Sequence, residues 1–114
     1  MKLTDYHLLS QYTIRFDPEK DRQLRLIRQV SFEEIIGLLA EKSILADIQH
    51  YSQRYPHQRL LVVYFRQYVY VVPYVIIYEK KEIWLKTIFP SRKLKKEMFN
   101  NEKFQTKTNL DPSR

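Results

Sequence analysis

Between Leu60 and Phe89 the chain carries three short runs crowded with β-branched and aromatic residues: Leu60 to Phe65, Tyr68 to Tyr78, and Ile83 to Phe89. Polar breaks at Arg66-Gln67 and at Glu79-Lys80-Lys81-Glu82 separate them. Such side chains fit a pleated surface and breaks this short fit hairpins, so the stretch is expected to form three antiparallel strands in a meander.

Successive side chains of a strand point to opposite faces, which sorts the middle run into two sets. Tyr68, Tyr70, Tyr74 and Tyr78 share one face with Val72 and Ile76, while Val69, Val71, Val75 and Ile77 share the other. In the last run Trp84 and Lys86 fall on one parity, and Leu85, Thr87 and Phe89 on the other. The aliphatic set suits packing beneath helices, whereas tyrosine has a polar tip that tolerates water. The expectation is a core face and an open, tyrosine-bearing face that includes Trp84. The alternative is that the tyrosines line a second hydrophobic layer. Pro73 cannot donate to a ladder and suggests an edge position or a bulge.

The flanking segments have their own signals. Tyr12 to Phe16 alternates as a short strand able to join the sheet edge. Asp17-Pro18-Glu19 reads as a helix start, with Asp as cap and Pro at the first helical position; the helix is expected to reach about Arg28 with Leu24 and Ile27 inward. Ser31 and Glu34 have capping-box spacing and open a second helix to about Lys42, where the only glycine, Gly37, suggests a close helix approach. Ile44 to Ile48 is a brief strand or a turn, and His50 to Gln58 a loop that carries His57 and Arg59 to the mouth of the first main strand. Ser91 is expected to cap a short basic helix to about Asn100.

The fold class is therefore α+β. It comprises a small antiparallel sheet, a three-stranded meander plus an N-terminal edge strand, with two helices on one face and a short basic C-terminal helix. Residues 1–114 are expected to form a single domain, with residues 1–11 as an arm or frayed helix and 101–114 as a polar tail.

Composition narrows the chemistry. Lysine and arginine number 20 against 13 acids, a formal charge of +7, which points to a polyanionic partner. The absence of cysteine excludes disulfides and thiolate metal sites, and one glycine cannot build a phosphate-cradling loop. His7, His50 and His57 lack metal-ligand spacing, so no metal or cofactor is expected. No apolar run approaches the roughly 18 to 20 residues that span a bilayer, and no signal peptide is read, so a cytoplasmic protein is expected.

Chemistry that needs only cations and one proton shuttle remains. RNA carries its own nucleophile, the 2′-hydroxyl; cleavage requires a base for its proton, a cation for the crowded phosphorane and an acid for the leaving oxygen. Arg59, Lys86, Arg92 and Arg28 are expected to converge on one surface, where tyrosine and tryptophan stack on unpaired bases.

Four stretches in order, namely Phe16-Asp17-Pro18, Val30-Ser31-Phe32-Glu33-Glu34, Tyr55-Pro56-His57-Gln58-Arg59 and Lys86-Thr87-Ile88-Phe89-Pro90-Ser91-Arg92-Lys93, resemble the BrnT family of toxins from type II toxin–antitoxin modules. The similarity covers about residues 14 to 99. It implies a RelE-like fold, a metal-independent endoribonuclease that cuts mRNA, free or on the ribosome, and halts translation, and hetero-oligomerisation with a cognate antitoxin. Arg28-Gln29 stands where family members have a His followed by Gly, and His57-Gln58 where they tend to have an acid before the arginine. On this reading Arg59, Arg92 and His57 are catalytic, and Arg28, Lys86, Lys93, Tyr70 and Trp84 bind RNA. Two other readings are a non-catalytic module that binds RNA or antitoxin, and a membrane-surface protein using the basic final helix, for which the apolar stripe is narrow.

Overall fold

A computed structural model describes residues 3, 6–50 and 52–99. The residues after 100, including the expected tail, lie outside the described residues. In chain order the elements are α1 (Tyr6–Leu9), β1 (Thr13–Phe16), α2 (Pro18–Ile27), α3 (Phe32–Ala40), β2 (Ile44–Gln49), β3 (Arg59–Phe65), β4 (Tyr68–Ile77), a 3-10 turn (Tyr78–Lys80), β5 (Glu82–Leu85), β6 (Phe89–Pro90) and α4 (Arg92–Phe99).

Local chemistry sets the helix starts. Asp17 accepts a hydrogen bond from the Glu19 amide at 3.0 Å and Pro18 opens α2. Ser31 and Glu34 close a reciprocal capping box on α3, with 2.9 Å from the Ser31 amide to Glu34 Oε1. Ser91 Oγ accepts from the Leu94 amide at 3.1 Å, where α4 begins. α2 stops because Gln29 adopts φ 58°, a left-handed conformation that cannot continue a helix.

The sheet order is β1-β5-β4-β3-β2, with β6 also paired to β4. The central meander β3-β4-β5 is antiparallel as expected, although the expected third strand, Ile83 to Phe89, is broken into β5 and β6, and β1 lies on one edge, running parallel to β5. Ile44 to Gln49 proves to be a strand, β2, on the opposite edge, so the sheet is mixed and open, larger than the expected four strands. No helix among the described residues is long and apolar enough to cross a membrane.

Three face assignments require correction. The tyrosine parity of β4 faces the helices: Val72 and Tyr74 are buried with Leu24, Phe32, Ile35 and Leu39, and Tyr70 packs half-buried against the same core. The aliphatic parity is not the helix side, although Val69 and Val71 are buried as well. Trp84 does not share the tyrosine face. Ile77 pairs with Glu82, so the connecting turn matches odd positions of β4 to even positions of β5 and sets Trp84 beside Val75 and Arg15.

Pro73 is neither at an edge nor in a bulge. It sits buried in the central strand, opposite the break between β5 and β6, where its carbonyl accepts from the Lys86 amide at 2.8 Å and no donor is demanded of it. Within α2, Asp21 and Leu24 are the buried residues, while Ile27 is 78 % exposed and Val30, just past the helix, takes the place in the core. Gly37 marks no close approach, since a Cβ built there meets nothing within 4 Å.

Candidate functional site

The expected catalytic and binding residues separate into three places. The first is a cleft of about 230 Å³ lined by His57, Arg59, Tyr74, Ile76 and Tyr78. The turn-rich loop ending at Gln58 presents His57 in an exposed position, and β3 starts at Arg59, so two of the three expected catalytic residues share one wall.

Beneath that wall lies a polar cluster centred on Asp47 of β2, whose side chain is 1 % exposed. Arg59 Nε donates to Asp47 Oδ1 at 2.8 Å and Arg59 Nη2 to the Asp47 carbonyl oxygen at 3.0 Å. The Tyr74 hydroxyl donates to Oδ2 at 2.5 Å, and the buried Leu3 amide reaches the same oxygen at 2.6 Å. The register explains the gathering: Asp47 faces Leu61 and Arg59 faces Tyr74, which sets all three polar side chains on the helix side of the sheet.

Their charge states follow. Burial opposes the charge on Arg59, but the hydrogen bond and attraction of Asp47 outweigh it and hold the guanidinium more firmly protonated than usual. Burial, then the hydrogen bond and negative charge of Asp47, push the Tyr74 phenol well above its ordinary range, so it remains a neutral donor. Arg59 is thus a fixed cation, 28 % of whose side chain is exposed.

Asp47 was not among the expected residues. Its signal was a lone carboxylate in a six-residue strand that is apolar apart from the terminal Gln49, which has meaning only once a cation is known to lie close by.

Arg92 and Lys93 do not join this cleft. Pro90, just before them, pairs with Tyr70, four residues or about 13 Å along β4 from the Tyr74 that faces Arg59. Arg28 belongs to that distant end: its Nη1 donates at 2.6 Å to the carbonyl of Ile88, next to β6. The sequence contained all these cations but not the strand offset that parts them. Tyr70 packs edge-on to Phe65, with centroids 4.8 Å apart, and is part of the core periphery rather than a free stacking platform.

Trp84 and Lys86 occupy a third place, a cleft of about 610 Å³ where β1 and β5 end and α2 begins. Arg15 and Lys20, which the sequence did not single out as binding residues, line it too. The indole Nε1 donates to Glu82 Oε1 at 3.0 Å, the Arg15 guanidinium lies 5.4 Å from the ring centroid, and Arg15 also pairs with Glu82 at 3.8 Å. Glu82 therefore anchors both groups.

Comparison with known proteins returns no matching family model, no matching curated protein and no matching solved structure.

Proposed function

We propose that the protein is the toxin of a type II toxin–antitoxin module, a metal-independent endoribonuclease of BrnT type that cuts mRNA and is neutralised by a cognate antitoxin. The observation that carries this reading is the shared cleft of His57 and Arg59. The His57 imidazole has one nitrogen able to accept a proton and one able to donate, which suits proton transfer with the 2′-hydroxyl. A guanidinium fixed by Asp47 is a preorganised cation for the phosphorane, and being held in place it needs no rearrangement as charge develops.

The backbone at position 29 adds support. Gln29 has φ 58°, a conformation that favours glycine, and glycine is what BrnT members have at the matching place. Two helices on one face of a largely antiparallel sheet are compatible with the RelE-like fold that this proposal includes. Arg28, Arg92 and Lys93 then serve as a separate basic end that holds flanking phosphates rather than the transition state.

A second reading, a module that binds RNA or antitoxin without cutting, is favoured by the commitment of Arg59 to a buried carboxylate, which also accounts for that arginine structurally. Incubation of the purified protein with single-stranded RNA and a chelator separates the two. Attack by the 2′-hydroxyl leaves a 2′,3′-cyclic phosphate and a 5′-hydroxyl, and His57→Ala should slow their formation by about 100-fold or more. RNA that is bound yet stays intact would support the second reading.

A further inference from the structure

We propose that the cleft at the ends of β1 and β5 binds an unpaired nucleotide of a single-stranded nucleic acid, its base against Trp84 and its flanking phosphates on Lys20 and Lys86. The choice of nucleic acid as ligand rests on the functional reading above, while the site itself is independent of the His57 cleft and shares no residue with it.

Three observations lead to this ligand. The cavity is the larger of the two, about 610 Å³ against about 230 Å³, enough to admit a base with its sugar. Its charged lining is Arg15, Lys20 and Lys86 against one carboxylate, Asp17, which is turned to the Glu19 amide as the cap of α2. Neither Lys20 nor Lys86 has an ion-pair partner among the described residues, whereas five of the eight described arginines pair with the protein's own carboxylates. Two uncommitted ammonium groups beside a deep cleft suit phosphates on either side of one nucleoside.

The aromatic part supplies what a bare anion site lacks. Trp84 is half-buried, and its indole N–H is anchored to Glu82, so the ring holds one orientation before any ligand arrives. Arg15 lies over it, and a guanidinium plane also stacks on bases. Stacking on such a platform requires an exposed base face, which a duplex does not offer, so the cleft discriminates against paired strands.

Trp84 is the only tryptophan, so its fluorescence reports this cleft alone. A single-stranded deoxyoligonucleotide is the probe, because it lacks the 2′-hydroxyl and cannot be cut by the proposed nuclease chemistry. It should quench the emission saturably. Lys20→Gln/Lys86→Gln should lower the slope of log affinity against log salt by about 1.4, and Trp84→Ala should weaken binding, followed by anisotropy of a labelled strand, by up to roughly 100-fold, with Trp84→Phe retaining part of it. Absence of binding, binding without a change in Trp84 emission, an unchanged salt slope in the double variant, or equal affinity for duplex DNA or polyglutamate would each overturn the assignment. An RNA that stays uncut while the deoxyoligonucleotide binds would count against the nuclease and leave this site standing.

Discussion

Replacing Asp47 tests whether the cluster under the His57 cleft holds the sheet together. Asp47→Ala removes the acceptor for three donors: the Tyr74 hydroxyl, the Leu3 amide and the Arg59 guanidinium. Tyr74 and Leu3 are fully buried, and a buried donor without a partner costs about 1–3 kcal/mol. Arg59 is partly exposed and recovers water, so its share is smaller. The total is about 3–5 kcal/mol, the usual cost of breaking a buried ion pair from one side. Against a domain stability of about 5–15 kcal/mol this is a large fraction. In urea, with Trp84 emission as the probe and a slope of about 1–3 kcal/mol per molar, the midpoint should fall by roughly 2 M. A double-mutant cycle of Asp47→Ala with Tyr74→Phe should show coupling of about 0.5–3 kcal/mol, because the two changes remove the same bond. A loss for Asp47→Ala below about 1 kcal/mol, or no coupling, would refute the claim that the cluster is satisfied and structural. The same variant leaves Arg59 only its bond to the backbone carbonyl at position 47, so RNA cleavage should fall as the cation loosens, even at temperatures where the variant remains folded.

Two further outcomes concern alkaline pH and the hairpin. The Tyr74 phenol titrates well above its ordinary value near pH 10 when folded, so its contribution to stability is complete below about pH 10 and is lost as pH rises beyond it, where the unfolded chain releases the proton first. Urea midpoints for Tyr74→Phe should therefore fall less steeply above pH 10 than those of the unmodified protein, and parallel curves would contradict the burial argument. The β3-β4 turn carries φ 54° at Arg66 and 63° at Gln67, both in the left-handed region that suits glycine or asparagine. Gln67→Gly should raise stability by about 1 kcal/mol, seen as a higher thermal midpoint, and no gain would mean the turn is not strained. Arg66 is the wrong position for this change, since its side chain reaches the Gln29 carbonyl and the Glu34 carboxylate.

The helix starts at Asp17, Ser31 and Ser91 were legible because a cap is a contract between residues a few positions apart. The three main strands were legible for a similar reason, since side-chain type and short polar breaks act locally. The faces were not. Alternation in Tyr68 to Ile77 divides the residues correctly into two sets, yet which set meets the helices depends on packing from elsewhere in the chain, and here Tyr74 goes inward with Val72, its hydroxyl partnered by Asp47, while Tyr78 stays exposed. Trp84 changed sides through the register of a single turn, in which Ile77 meets Glu82.

By itself, then, the chain determined its helix starts, most of its main strands, its surplus of positive charge and the placing of His57 two positions from Arg59. Only the tertiary structure decided that Arg92 and Arg28 stand at the far end of β4, that Arg59 is tied to Asp47, and that Arg15 and Lys20 meet Trp84. The physical reason is range. Capping and strand propensity are energies of neighbours in sequence, whereas charge pairing and aromatic packing act across strands, between residues whose distance is fixed by register and by the order in which the strands lie.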